Sequence, residues 1–139
     1  GSFFHSVDAF TMARGGRLDA VVLGAFQVSE RGDLANWWSP HMGAGGIGGA
    51  MDLAVGAKRV IAMMEHISKT GEFKLLKECT YPLTTPNCVT TVITDLAVID
   101  VVDRGFRLRE RAPGVTLETI REATGADLDC PAEVPEMNF

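Results

Sequence analysis

The chain has 139 residues, 46% of them hydrophobic and 22% charged, with a formal net charge of −5. That is the length and make-up of one ordinary globular domain with a single core. With no basic block and no apolar run near the roughly 20 residues that span a bilayer, the composition argues against nucleic acid and membranes as partners.

Three cysteines, Cys79, Cys88 and Cys130, are odd in number and lack paired ligand spacing. Neither a disulfide framework nor a metal site is expected of them. His5, His41 and His66 likewise lack helical metal spacing. The amino terminus has no basic segment followed by a cleavage site, so the chain reads as cytoplasmic. It opens on Gly1-Ser2-Phe3-Phe4 without Met and looks like part of something longer.

In chain order, Ser6 as a cap, an apolar face of Val7, Phe10, Met12 and Ala13, and a stop at Gly15-Gly16 predict a short first helix. Ala20 to Phe26 is a continuous apolar run, the pattern of a strand buried on both faces. From Gln27 to Gly49 the chain is polar, aromatic and glycine-rich. A loop of that length at the carboxyl end of a buried strand is where open α/β sheets bind ligands.

Met51 to Ala57 predicts a helix and Arg59 to Met64 a second buried strand, completing a βαβ crossover. Ser68 to Gly71 reads as a turn, and Lys74 to Tyr81 and Cys88 to Thr94 as short β-leaning runs split by Pro82 and Pro86. Leu96 to Val102 and Phe106 to Arg111 flank Asp103-Arg104-Gly105, a hairpin signal with Gly at the tight position. Val115 to Thr124 predicts a helix with Gly125 as its cap, and the acidic, Pro-bearing end predicts a loosely held tail.

The stretch richest in chemistry is Gly43 to Leu53, with glycines at 43, 45, 46, 48 and 49 feeding an apolar segment. Such a run lets a ligand lie against main-chain N–H groups, and the guest expected there is an anion or an oxygen on which negative charge develops. Gly43 to Gly48 also matches a dinucleotide fingerprint, with Glu65 near the place of a ribose-binding acid. Against it, the fingerprint should follow its strand at once, whereas Trp37, Trp38 and Pro40 intervene.

Glu30, beside Arg31, reads as a solvated carboxylate. Glu65 and His66 at a strand end are open to either a catalytic or a structural role. Asp33, Asn36 and Trp37 fit either loop self-capping or a pocket wall. No Ser/His/Asp or Cys/His arrangement is visible.

At the blocks FTMARGG, LGAFQVSERGDLANW, GGIGGAMDL, MMEH, CTYPL, NCV, ITDLAVIDV and APGVTLETIREATGADL, the chain resembles the B subunit of family I coenzyme A transferases, the 3-oxoacid and 3-oxoadipate type. The resemblance covers almost the whole chain in order. It implies an α/β fold with an open mixed, largely parallel sheet, flanking helices and a C-terminal β-hairpin, over residues 1–128 as the carboxy-terminal part of a B-subunit domain and 129–139 as a tail.

It also implies CoA transfer between carboxylic acids such as acetoacetate or 3-oxoadipate and a donor such as succinyl-CoA, through a glutamyl-CoA intermediate. Coenzyme A enters as a substrate, with no permanently bound cofactor and no metal. The glycine segment matches the family's oxyanion element: Gly48, Gly49 and Ala50 would supply backbone donors, and Gly46 and Ile47, with Gln27 and Asn36, would contact substrate or CoA. The partners implied are an A subunit and the amino-terminal half of the B subunit.

Two departures stand out. The family's nucleophilic Glu lies in a Glu-x-Gly motif expected upstream of residue 1, and Glu30-Arg31-Gly32 only mimics it from a different block. Met42 and Gly45 stand where several 3-oxoacid members carry lysines, which removes cations for a CoA phosphate. A dinucleotide-binding oxidoreductase domain and a non-catalytic assembly domain are the alternatives.

Overall fold

The computed structural model describes residues 9–14, 17–36 and 58–137, with side chains from 20 onward. A seven-stranded sheet organises the chain. Its strands are β1 (Ala9–Arg14), β2 (Arg17–Gly24), β5 (Arg59–Met63), β7 (Thr91–Ile93), β8 (Ala97–Val102), β9 (Gly105–Arg111) and β10 (Leu128–Asp129), adjacent in the order β1-β2-β5-β7-β8-β9-β10. The pairs β2–β5, β5–β7 and β9–β10 are parallel, and β1–β2, β7–β8 and β8–β9 antiparallel. Three short strands, β3 (Gln27–Ser29), β4 (Leu34–Ala35) and β6 (Leu75–Leu76), form a second sheet in the order β4-β3-β6.

The open mixed sheet and the C-terminal hairpin agree with the expected α/β class. One helix, α1 (Leu117–Glu122), lies among the described residues, and the expected helix over 51–57 falls outside them. No helix among the described residues is long and apolar enough to cross a membrane.

The core lies on one face of the large sheet. Val21 and Leu23, Val60, Ala62 and Met64, Val92, Ala97 and Ile99, and Phe106 and Leu108 point the same way because strand side chains alternate. Ile120 of α1 and Val28, Leu34 and Leu75 of the small sheet close over them. Fully burying one such side chain is worth about 1.5–3 kcal/mol. On the opposite face Val22, Ile61, Met63 and Ile93 are half-buried, so the central strands alternate rather than being sealed on both sides as their apolar runs suggested.

Other expectations are corrected too. Residues 9–14 are a strand, not a helix: Ala9 pairs with Leu23 and Arg14 with Arg17, and six residues of mixed pattern yield to a ready partner edge. The first part of the expected loop from Gln27 is ordered as the β3–β4 hairpin. At the β8–β9 turn the positive φ angles fall on Asp103 (52°) and Arg104 (61°), while Gly105 already pairs with Val102. Residues 135–137 of the expected tail are tied down: the N–H of Arg111 donates to the Pro135 carbonyl (3.0 Å) and that of Met137 to the Arg111 carbonyl (2.7 Å).

Helix α1 is capped by Thr116, whose hydroxyl accepts from the Thr119 N–H, and it ends on Ala123 in the right-handed region. Gly125 is therefore not its cap. Its N–H donates to the Leu75 carbonyl at 2.7 Å, and a Cβ there would stand 2.9 Å from that oxygen. Gly125 lets the end of the helix segment lie directly on β6.

Candidate functional site

Strands β2, β5 and β7 run in parallel, so their carboxyl ends share one rim of the sheet. The chain leaves that rim at Ala25, Met64 and Thr94, with Ala25 N–H bonded to the Met63 carbonyl (3.3 Å) and Met64 N–H to the Ile93 carbonyl (3.1 Å). Ligands of open α/β sheets gather at such rims. From β2 the chain passes directly into β3, which sets the small sheet beside it.

Two hydrogen bonds to the Ser29 hydroxyl, from the N–H groups of Arg31 (3.2 Å) and Asp33 (3.1 Å), fold the β3–β4 turn. Glu30 sits in that turn, half-exposed. Asn36 is at the other end of the hairpin, since Gln27 pairs with Ala35 and Val28 with Leu34. Glu30 and Asn36 are thus separated by the length of the hairpin, about 10 Å at ~3.4 Å per residue. Arg31 reaches Glu78 across the surface at 3.7 Å.

Residues 80–85 form a strap across this hairpin. Gln27, buried, accepts from the N–H groups of Thr80 (2.8 Å) and Tyr81 (3.0 Å) with Oε1 and donates from Nε2 to the Thr80 hydroxyl (2.8 Å). Farther along, the Thr84 N–H donates to the Leu34 carbonyl (2.7 Å), and the Leu34 N–H donates to the Thr85 carbonyl (2.9 Å). The strap ends against Asn36, whose N–H donates to the Thr84 hydroxyl at 3.2 Å while that hydroxyl donates to Asn36 Oδ1.

Asn36 is 1% exposed, and its Nδ2 has no hydrogen-bond partner among the described residues. A buried donor left unpaired costs about 1–3 kcal/mol. Buried side-chain donors are ordinarily paired, which sets this one apart. Thr85 Oγ1 is likewise buried and unpaired among the described residues.

Burial pushes the Cys79 and Cys88 thiols up to about 12, with the Asp33 carboxylate adding to the shift. All three cysteines are free. Burial lowers Lys74, against the opposing pull of Glu65 and Asp95.

His66 is fully buried, its ring between the Thr94 and Thr124 hydroxyls at 2.9 Å each, and burial lowers it to about 4. The open question between a catalytic and a structural His66 resolves toward structure. Among the described residues no group of three His, Cys, Asp or Glu side chains is arranged to hold a metal.

Of the residues singled out in the sequence, Gln27 and Asn36 share the end of one hairpin. Gly46, Ile47, Gly48, Gly49 and Ala50, like Met42 and Gly45, lie outside the described residues. The hairpin also separates β2 from the glycine run, so that run does not follow its strand as a dinucleotide fingerprint should. Sequence reasoning missed Thr84, which stands 48 residues from Asn36. No spacing in TYPLTTPN signals that meeting.

Comparison with known proteins brings one family forward. The family model described as Coenzyme A transferase matches residues 1–123. The B subunit of the 3-oxoadipate CoA-transferase of Pseudomonas putida is 52% identical over 132 residues, covering 92% of this chain and 61% of that protein. The B subunit of a probable succinyl-CoA:3-ketoacid coenzyme A transferase of Bacillus subtilis is 50% identical over 126 residues, covering 91% and 58%.

Among solved structures, an acyl-CoA transferase apoenzyme from Escherichia coli O157:H7 superposes with a TM-score of 0.76 at 20% identity, over 87% of this chain and 28% of that one. At that identity the likeness is one of fold. The chain spans about three fifths of the length of the relatives it matches, 61% of the first.

Proposed function

This chain belongs to the coenzyme A transferase family, and from that premise we propose that it is part of an enzyme that moves CoA between carboxylic acids. The observation that carries the reading is the family match over residues 1–123. The acids proposed are a 3-oxo acid, acetoacetate or 3-oxoadipate, with succinyl-CoA as donor. The names of relatives such as those from Pseudomonas putida and Bacillus subtilis support that choice. The partners proposed are an A subunit and the remaining portion of the B subunit, the latter carrying the nucleophilic Glu.

The chemistry is covalent catalysis with oxyanion stabilisation. The Glu carboxylate adds to the thioester carbonyl and CoA leaves as thiolate, giving an acyl-glutamyl anhydride. The thiolate then attacks the glutamyl carbonyl, releasing the first acid and leaving glutamyl-CoA. The second acid repeats the two steps in reverse order and departs as its CoA thioester.

Gly48, Gly49 and Ala50 are proposed to offer main-chain N–H groups to the oxygen that becomes negative in each addition, and Gly46 and Ile47 to border the acyl or CoA moiety. Asn36 is proposed to meet the substrate through Nδ2, which has no other partner among the described residues. Gln27 is proposed to serve the same pocket at the other end of the strap that it fastens.

The test is CoA exchange between succinyl-CoA and acetoacetate or 3-oxoadipate, with the full B subunit and its A subunit. Turnover is expected, with a CoA adduct on one Glu detected by mass spectrometry after incubation with acyl-CoA alone. Gly49→Val should abolish turnover while leaving the subunits assembled. Absence of exchange with every acid tried, or loss of assembly in the Gly49 variant, would sink the corresponding claim.

A further inference from the structure

We infer that Thr84 is a positioning residue for acyl transfer, holding the Asn36 amide so that both Nδ2 hydrogens remain available to an acceptor oxygen of the acid being transferred. The inference rests on the reading of this chain as part of a CoA-transferase. What it adds is a residue outside the sequence motifs and a reason for its hydroxyl.

The geometry is a closed ring of contacts between two residues. One hydroxyl accepts the Asn36 main-chain N–H and donates its only hydrogen to Asn36 Oδ1. That uses the carbonyl side of the amide and leaves the amino side unpaired among the described residues, with Asn36 1% exposed and so shielded from bulk water. Of the two amide ends, the one left over can only donate. It therefore selects a ligand atom that accepts, as a carboxylate, thioester or anhydride oxygen does.

Thr84 is itself fixed. It is 2% exposed, its N–H is held by the Leu34 carbonyl at 2.7 Å, and its branched Cβ restricts χ1. The strap bearing it is anchored upstream at Thr80 and Tyr81 by Gln27. Hairpin and strap thus present one amide in one orientation, the pre-organisation that makes a donor effective at the moment charge develops.

The experiment is a double-mutant cycle in the intact two-subunit enzyme, with kcat and KM for the acid substrate read for Thr84→Val, Thr84→Ser, Asn36→Ala and the Thr84→Val/Asn36→Ala pair. Thr84→Val should lower kcat/KM about tenfold, the usual worth of one oriented hydrogen bond. Thr84→Ser, which keeps the hydroxyl, should stay within about threefold of wild type by the same reasoning. The double variant should be no slower than Asn36→Ala alone, because a residue that acts through the amide has nothing to position once it is gone.

Should Thr84→Val fail to fold, Thr84→Ala replaces it in the cycle with the same expectation. Losses that add, or full activity without the hydroxyl, overturn the positioning role while leaving the CoA-transferase reading intact. A wild-type enzyme that moves no CoA overturns the reading and the inference together.

Discussion

His66 and Thr124, 58 residues apart in the chain, meet in the interior with Nε2 and Oγ1 2.9 Å apart. The contact fixes the tautomer. Thr124 Oγ1 spends its hydrogen on the Ile120 carbonyl (2.7 Å), so it must accept from the ring, and Nε2 carries the proton. Nδ1 is then bare and accepts from Thr94 Oγ1, which itself accepts from the N–H groups of Leu96 and Ala97.

Thr124 Oγ1 accepts from Nε2–H in either state of the ring, but a proton on Nδ1 would displace the Thr94 hydroxyl hydrogen toward the longer contact with the Ala97 carbonyl (3.4 Å), and burial opposes the charge, lowering His66 to about 4. Because the folded value lies below the ordinary 6.5, the contribution is present above pH 6.5 and is lost as pH falls toward 4. The loss approaches about 3 kcal/mol below that window. Urea unfolding between pH 7 and 4 should show this excess slope in wild type and lose it in His66→Gln. Equal slopes in the two proteins would contradict the neutral, buried ring.

Gly32 and Gly71 offer a matched pair. Their φ angles are +86° and +84°, but a Cβ on Gly32 would stand 2.7 Å from the Val89 carbonyl oxygen, whereas one on Gly71 meets nothing within 4 Å. The Gly32 carbonyl also accepts from both Cys88 and Val89 N–H at 2.9 Å. Gly71→Ala should therefore cost about 1–2 kcal/mol from the left-handed backbone alone, and Gly32→Ala about 2 kcal/mol more because backbone must move. Denaturant midpoints of the two variants decide it, and similar losses would be the contrary result.

Cys79 and Cys88, raised to about 12 by burial and Asp33, are thiols rather than thiolates at neutral pH. At pH 8 the native protein should label at these positions on the order of 10³ times more slowly than an unperturbed thiol, since only the thiolate reacts. Labelling kinetics with site assignment by peptide mass mapping give the comparison. Rapid modification of either residue before unfolding would be inconsistent with the surroundings described.

How far the sequence reveals this arrangement depends on where the deciding contact lies. The apolar runs from Ala20 and Arg59 announce their strands because their own composition demands burial. Phe10 and Met12 suit a helix or a strand equally, and only pairing with Val22 and Ala20 decides between them. Strands of two or three residues such as β4 carry too little periodicity to be seen. Gly125 reads as a helix cap until its neighbour Leu75, remote in sequence, is known. At the candidate site Asn36 is legible as a polar residue beside aromatics. Thr84 is not, because nothing in its local sequence encodes a partner in another strand.

The order of strands in the large sheet also carries a sequence of events in time. At its centre, Thr90 Oγ1 bonds the Val60 carbonyl 30 residues away, while one strand further out Thr91 and Asp100 meet across only 9. Closing the longer loop costs more chain entropy before any contact repays it. The β7–β8–β9 meander and the β1–β2 hairpin, both closed by short connections, should accordingly gain amide protection first in pulsed hydrogen exchange during refolding, with β5 between them protected later; early protection of β5 would reverse the order. The sheet is then assembled from its two flanks inward to β5, and the rim that bears the candidate site, which needs β2, β5 and β7 side by side, is among the last parts of the molecule to exist.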